Sequence, residues 1–206
     1  MTNIKTRKLS NITLGEDVVA EYRKAESEVH PLFLSRWSPR SYSGEKVAEK
    51  DLVTILEAAS WAPSASNEQP WRFIIARTNE ERTIFNQFIH PRNQLWSNKA
   101  PVLILLASKN KKANNEPNHF HDFDAGAAWA NLALQATILG LSTRAIGGFD
   151  KEKAKEILNI PEDIDLQVVI ALGYKGDLES LQDDFQKLEK PNTRRSVKEN
   201  IFQVNK

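Results

Sequence analysis

The sequence predicts a layered domain built from both helices and strands, and three observations carry that reading. Four apolar runs have strand length. At least five segments show helical spacing or helix caps. The length of 206 residues suits one compact domain, and 40% hydrophobic residues, with five tryptophans and nine phenylalanines, can fill its core. Periodicity points to a layered α/β arrangement but fixes neither the order nor the direction of the strands.

Residues 1–30 are polar and charged, with a helix-like stretch from Glu16 to Glu28. Pro31 to Gly44 is rich in proline and serine and is not regular throughout. Leu52, Ile55, Leu56 and Ala59 recur at helical spacing, so Glu49 to Trp61 reads as an amphipathic helix that stops at Pro63. Ala62 to Pro70 is then a loop, and Trp71 to Ala76 a strand of aromatic and β-branched residues. Asn79 can cap a helix to about Ile89, with Glu80 and Glu81 in its favourable first turn.

Val102 to Ala107 is a continuous apolar run of strand length, followed by a polar loop from Lys109 to Asn118. Asp124 to Leu139 is apolar and alanine-rich, a helix buried on most sides, and Gly140 fits its stop. Thr143 to Ile146 reads as a short strand, Asp150 as the cap of a helix through Leu158, and Leu166 to Leu172 as the last strand. From Tyr174 the chain is polar again, ending in Arg194, Arg195 and a short apolar patch at Ile201 and Phe202. There is no internal repeat and no linker that separates domains.

Composition excludes several functions. Charged residues are 27% and nearly balanced, leaving a net charge of +1, which argues against a nucleic-acid surface. No apolar run is long enough to span a membrane, and the polar stretch Met1 to Arg7 has no apolar segment of a secretory leader behind it. A cytoplasmic address is expected. With no cysteine there are no disulfides, thiol nucleophiles or cysteine–zinc sites. Redox work therefore needs a bound cofactor. The glycine fingerprints of dinucleotide and phosphate loops and the serine elbow of hydrolases are absent too.

Two segments stand out. In Arg36-Trp37-Ser38-Pro39-Arg40-Ser41-Tyr42, two arginines four apart with a hydroxyl between them can fork onto a phosphate or carboxylate. On this segment alone, a solvated arginine pair in a loop is the plainer alternative. In Pro63-Ser64-Ala65-Ser66-Asn67-Glu68-Gln69-Pro70-Trp71, prolines stiffen a loop whose amides and hydroxyls can read the edge of a flat heterocycle. An ordinary helix-to-strand connection is the alternative there.

Together these segments resemble the nitroreductase family of FMN-dependent NAD(P)H oxidoreductases. The resemblance continues through Asp124-Ala125-Gly126, Gly140-Leu141, Ile146-Gly147-Gly148-Phe149-Asp150, Ala171-Leu172-Gly173-Tyr174 and Arg194-Arg195. It covers roughly residues 32 to 202 in the family's order, so residues 1–31 read as a polar extension and 32–206 as a single FMN-binding domain.

The resemblance implies an α+β fold with a central mixed, largely antiparallel sheet flanked by helices, in an interlocked homodimer with two FMN sites at its interface. It implies that Arg36, Ser38 and Arg40 hold the phosphate and ribityl chain, with Arg40 reaching the N1–O2 edge of the ring. Pro63, Ser64 and Asn67 would contact flavin from the opposite subunit. Asn93 would bond the ring edge, the Gly147–Gly148 backbone would approach N5 and O4, and Arg194 and Arg195 would complete the phosphate site. Trp37, Ala65 and Ile146 fall inside the matched segments and belong to the same cofactor-binding set.

The implied activity is hydride transfer from NAD(P)H through FMN to a nitro compound, quinone or enone. The flavin carries the chemistry, so no catalytic side chain is assigned. The alternatives are a flavin-fragmenting or dehalogenating relative, or a non-catalytic flavin-binding protein. Two departures bear on donor and acceptor: Glu68 is acidic where the family is often neutral or basic, and Gly147 stands where a glutamate is usual.

Two further patterns have plainer explanations. His119-Phe120-His121-Asp122-Phe123-Asp124 offers metal-ligand types, but a polar loop meeting water is the better account and no metal is assigned. Its aromatics would instead wall a substrate space. Trp61, Trp71, Trp96 and Trp129 read as core packing rather than a stacking platform.

Overall fold

Strand β2 (Val102–Lys109) runs through the middle of the molecule and is buried from Val102 to Ser108. A computed structural model describes residues 16–204 of the chain. The polar start Met1 to Arg7, and the first half of the proposed extension, lie outside the described residues.

β2 pairs with β1 (Trp71–Ala76) on one side and β4 (Ile164–Gly173) on the other, and β3 (Ser142–Ile146) closes the far edge, giving the order β1-β2-β4-β3. All three pairings are antiparallel, which matches the largely antiparallel sheet expected. Ile104 sits opposite Ile75 and Ile170, and a register shift falls between Leu106 and Ala107.

Because side chains alternate along a strand, β2 feeds two cores. Val102, Ile104 and Leu106 pack with Leu52, Ile55 and Ala59 of α3 (Glu49–Ser60) and with Ala125, Ala128, Leu132 and Ala136 of α6 (His121–Ile138). Leu103, Leu105 and Ala107 pack on the other face, against Phe85 of α4 (Asn79–Asn86), Trp96 of α5 (Pro91–Ser97) and Ala154 of α7 (Lys151–Leu158). The small α6 side chains let α3 lie close against it, and Gly140, at φ 76°, turns the chain out of α6 toward β3.

Local chemistry explains where helix bounds differ from expectation. The cap of α4 is Thr78, not Asn79: its side chain accepts from the Glu81 amide while Glu81 reaches back, a reciprocal capping box. That helix ends at Asn86, because Phe88 and Ile89 turn inward and Ile89 bridges Phe149. α6 begins at His121, three residues early, after Asn118 Oδ1 accepts the Phe120 amide. α5 was not anticipated, since seven residues are too few to show periodicity, but Pro91 starts it. Pro31 likewise starts α2 (Pro31–Ser35) within a stretch expected to be irregular, and α1 (Glu16–Tyr22) ends well short of Glu28. A four-residue helix α8 (Asp183–Gln186) buries Phe185 under the same core as Trp96.

Trp71 and Trp96 are core residues and Trp129 packs against the core edge, as expected. Trp61 is not: it is 79% exposed at the end of α3, where the helical face carrying Ala59 has already turned away. Among the described residues no helix is long and apolar enough to cross a membrane.

Leu105 is fully buried at the centre of the sheet. Leu105→Ala is expected to lower unfolding stability by about 2–5 kcal/mol. Val53→Ala, on the exposed face of α3, is expected to change it by less than about 0.5 kcal/mol. Denaturant melts of both variants check this.

Candidate functional site

α2 delivers Arg36 into a loop that distant residues fasten at Arg36, Ser38, Arg40 and Ser41. Arg36 Nη1 donates to Ser38 Oγ at 3.2 Å, and the Ser38 carbonyl accepts from Arg144 of β3. Beyond it, Glu189 is a carboxylate with only 2% of its side chain exposed. It accepts from the Arg40 amide at 2.7 and 2.9 Å, the Ser41 amide at 2.8 Å and Ser41 Oγ at 2.9 Å. The Arg40 guanidinium lies 4.0 Å from the same carboxylate and 5.6 Å above the Phe185 ring. Arg144 in turn lies 5.5 Å over Trp96. Burial, and then Arg40, hold its guanidinium below the ordinary arginine value.

Arg36 and Arg194 meet behind this loop, together with Arg23, which follows α1. Burial and then Arg194 lower the Arg36 guanidinium. Arg23 is lowered to about 10 by burial first, then by Arg194 and Arg36. Among the described residues none of these three arginines is ion-paired with a carboxylate. Like charges gathered without a counter-ion disfavour one another, and an entering anion reverses that cost. Arg195 is exposed and, with Arg23 and Arg194, lines a cleft of about 550 Å³.

The loop after α3 is strained. Ser66, Asn67 and Gln69 hold φ of 52°, 58° and 46°, the left-handed region that non-glycine residues avoid at a cost of order 1 kcal/mol each. Asp124 of α6, itself 2% exposed, accepts the Ala65 amide at 3.1 Å. Ser64 Oγ accepts the Gln69 amide at 3.0 Å, and Glu68 accepts the Ala113 amide at 3.1 Å. Glu68 thus ties two loops together. Pro63 and Asn67 face outward.

After β3, a Cβ placed on Gly147 would meet nothing within 4 Å, so its backbone borders open space. One on Gly148 would stand 2.6 Å from Asn93 Nδ2. Asn93 Nδ2 donates to the Gly148 carbonyl at 3.1 Å, so this nitrogen steadies the glycine turn. Ile146 has its side chain in the core and offers only backbone. Trp37 turns toward Lys175, 5.5 Å away.

The structure thus brings Arg36 and Arg194 together with Arg23, holds Ser38 between Arg36 and Arg144, sets Arg40 beside Glu189, and fastens the Ser64–Asn67 loop to α6 through Ala65. Among the described residues no hydrogen bond or ion pair joins that loop to the arginine cluster. Sequence reasoning missed Glu189, Arg23 and Arg144. Only Arg144 carried a signal, as a lone charge within a short strand. It also missed a serine–histidine contact, Ser108 Oγ to His121 Nδ1 at 2.8 Å. Ser108 is fully buried and also accepts from Gln167, which makes the pair part of the packing rather than a nucleophile. His119, Phe120 and Phe123 are exposed.

The chain is similar to known proteins. A sequence profile of the nitroreductase family matches residues 34–96 and 81–174. An Archaeoglobus fulgidus protein assigned as an NADH dehydrogenase/NAD(P)H nitroreductase is 33% identical over 150 residues, 71% of this chain and 84% of the relative. A solved structure described as an oxidoreductase containing FMN superposes with a TM-score of 0.85 at 39% identity, covering 89% of this chain and 95% of its own. An iodotyrosine deiodinase from Thermotoga neapolitana is 23% identical over 177 residues, 72% of this chain and 89% of the relative.

Glu189→Ala would leave the amides of Arg40 and Ser41 and the Ser41 hydroxyl without their acceptor. Buried donors left unsatisfied cost about 1–3 kcal/mol. A drop of that size in a denaturant melt is the expected outcome, with amide exchange at Arg40 and Ser41 rising more than in β2.

Proposed function

Because the chain belongs to the nitroreductase family, we propose that it is an FMN-dependent oxidoreductase drawing electrons from NAD(P)H and passing them to a nitro compound, quinone or enone. The observation that carries this reading is the cluster of Arg36 and Arg194, backed by Arg23, to which no carboxylate among the described residues is paired. A flavin phosphate brings about two negative charges near neutral pH, and arginine forks are its natural counterpart. The residues present fit the group.

Arg36, Ser38 and Arg194 would hold the phosphate and ribityl chain, with Arg195 at the rim. Arg40, its backbone fixed by Glu189, would offer a cation to the N1–O2 edge and stabilise negative charge there. Gly147 borders open space, which supports a planar ring lying against its backbone. Bound FMN would supply the hydride relay between nicotinamide and acceptor. The chain's part is to hold, orient and tune.

Pro63, Ser64 and Asn67 would reach the flavin of a second copy. An outward-facing, strained loop with no tie to its own arginine cluster favours a site completed by two chains. A homodimer and a cytoplasmic address belong to this proposal.

The purified protein is expected to be yellow and to release FMN rather than FAD on heating. A colourless protein that fails to bind added FMN would overturn the proposal. Arg36→Ala should weaken FMN binding about tenfold to a hundredfold, from the loss of a charge-assisted contact. Excess FMN should restore turnover. Mixing inactive Asn67→Ala and Arg40→Ala chains should recover part of the NAD(P)H oxidation with a quinone, and an active monomer would rule out the shared site. Halotyrosines belong in the acceptor panel, given the deiodinase relative. NAD(P)H oxidation with none of the acceptors would favour a flavin carrier.

A further inference from the structure

We propose that Arg23 is a positioning residue that aligns Arg36 and Arg194 into one anion site and thereby sets a preference for FMN over unphosphorylated riboflavin. The inference deepens the FMN reading above and rests on it.

Arg23 lies ahead of residue 34, where the family match begins. It is half-buried, and its guanidinium joins two segments far apart in sequence. Nη1 donates to the Leu34 carbonyl at 2.6 Å and the Arg36 carbonyl at 2.7 Å. Nε donates to the Asn192 carbonyl at 3.0 Å. One planar group therefore grips the backbone of Arg36 itself and a carbonyl two residues before Arg194.

Neither segment is held by regular structure. α2 is only five residues long, and residues 191–196 form neither helix nor strand. The same part of the chain adds a second tie: Ser196 Oγ donates to Glu26 at 2.9 Å. Arg194 is thus bracketed on both sides by contacts to residues 23 and 26.

The residue type matters. A guanidinium presents five donors in a rigid fork, so it can serve carbonyls in two directions at once, whereas an ammonium is a compact point charge. Placing a third cation beside Arg36 and Arg194 is unfavourable without an anion. An arginine kept there, with both neighbours and burial acting against its charge, fits a site that a phosphate completes.

The test compares the dissociation constants of FMN and riboflavin, read by flavin fluorescence, for the full wild-type chain and for Arg23→Gln, Arg23→Lys and Arg36→Ala. Both Arg23 variants should bind FMN about tenfold more weakly, the scale of one lost charge-assisted contact, while riboflavin binding holds. Wild-type selectivity in Arg23→Lys would overturn the positioning role, since charge alone would then suffice. Equal loss of both flavins would overturn it too, as general loosening. If Arg36→Ala also keeps the FMN preference, the phosphate reading itself fails, which is a different result from failure at Arg23 alone.

Should the variants not fold, wild-type NMR decides. The Arg23 Nε–H should exchange with water more slowly than those of exposed arginines, and more slowly again on adding inorganic phosphate. An Arg23 signal unmoved by phosphate, or indistinguishable from Arg72 and Arg92, would overturn the proposal.

Discussion

Strand β2 is buried on both faces, and the remaining architecture follows from that constraint. A strand with no solvated face must find helices above and below and strands on both edges, or its backbone and side chains meet water. Here β1 and β4 supply the edges, α3 and α6 cover one face, and α4, α5 and α7 cover the other. The elements that carry the candidate site are the ends of this framework: the turn after α2, the loop between α3 and β1, and the glycines after β3. A rigid sheet can hold loops in unfavourable conformations that an isolated peptide would abandon.

Two buried carboxylates transmit that rigidity. Glu189 takes the amides of Arg40 and Ser41, and Asp124 takes the amide of Ala65. Each replaces a secondary-structure partner for backbone that is neither helix nor strand, and accepting from backbone amides is what a buried carboxylate can do without a full counter-ion. The arginine cluster is the reverse arrangement. It collects charge that no carboxylate among the described residues pairs with, which is unfavourable for the protein alone and favourable for an anion-binding site.

The exposed aromatics fit the same division. Trp61, Phe120 and Phe123 are open to solvent while Trp71 and Trp96 fill the core. Composition treats all five as core material, because it counts ring area and not direction. Trp61, two residues past Ala59, faces outward, and only the end of α3 decides that.

Amino-acid order alone determined the strands Trp71–Ala76 and Val102–Ala107, the long alanine-rich helix and the stop at Gly140. These are local matters: alternation, continuous apolarity, helical spacing and a positive φ are all set within a few residues. The arginine segment and the Pro63–Trp71 loop were legible for the same reason, as unusual residue types at short spacing. Tertiary structure decided strand order, the helices α2 and α5, and the partners that make the loops rigid. Glu189 stands in an unremarkable polar stretch, and Arg23 ahead of residue 34, where the family match begins. What gives each a role is a carbonyl or amide more than a hundred residues away. Such pairings depend on which chain segments the packed sheet brings together, and no local pattern encodes that distance.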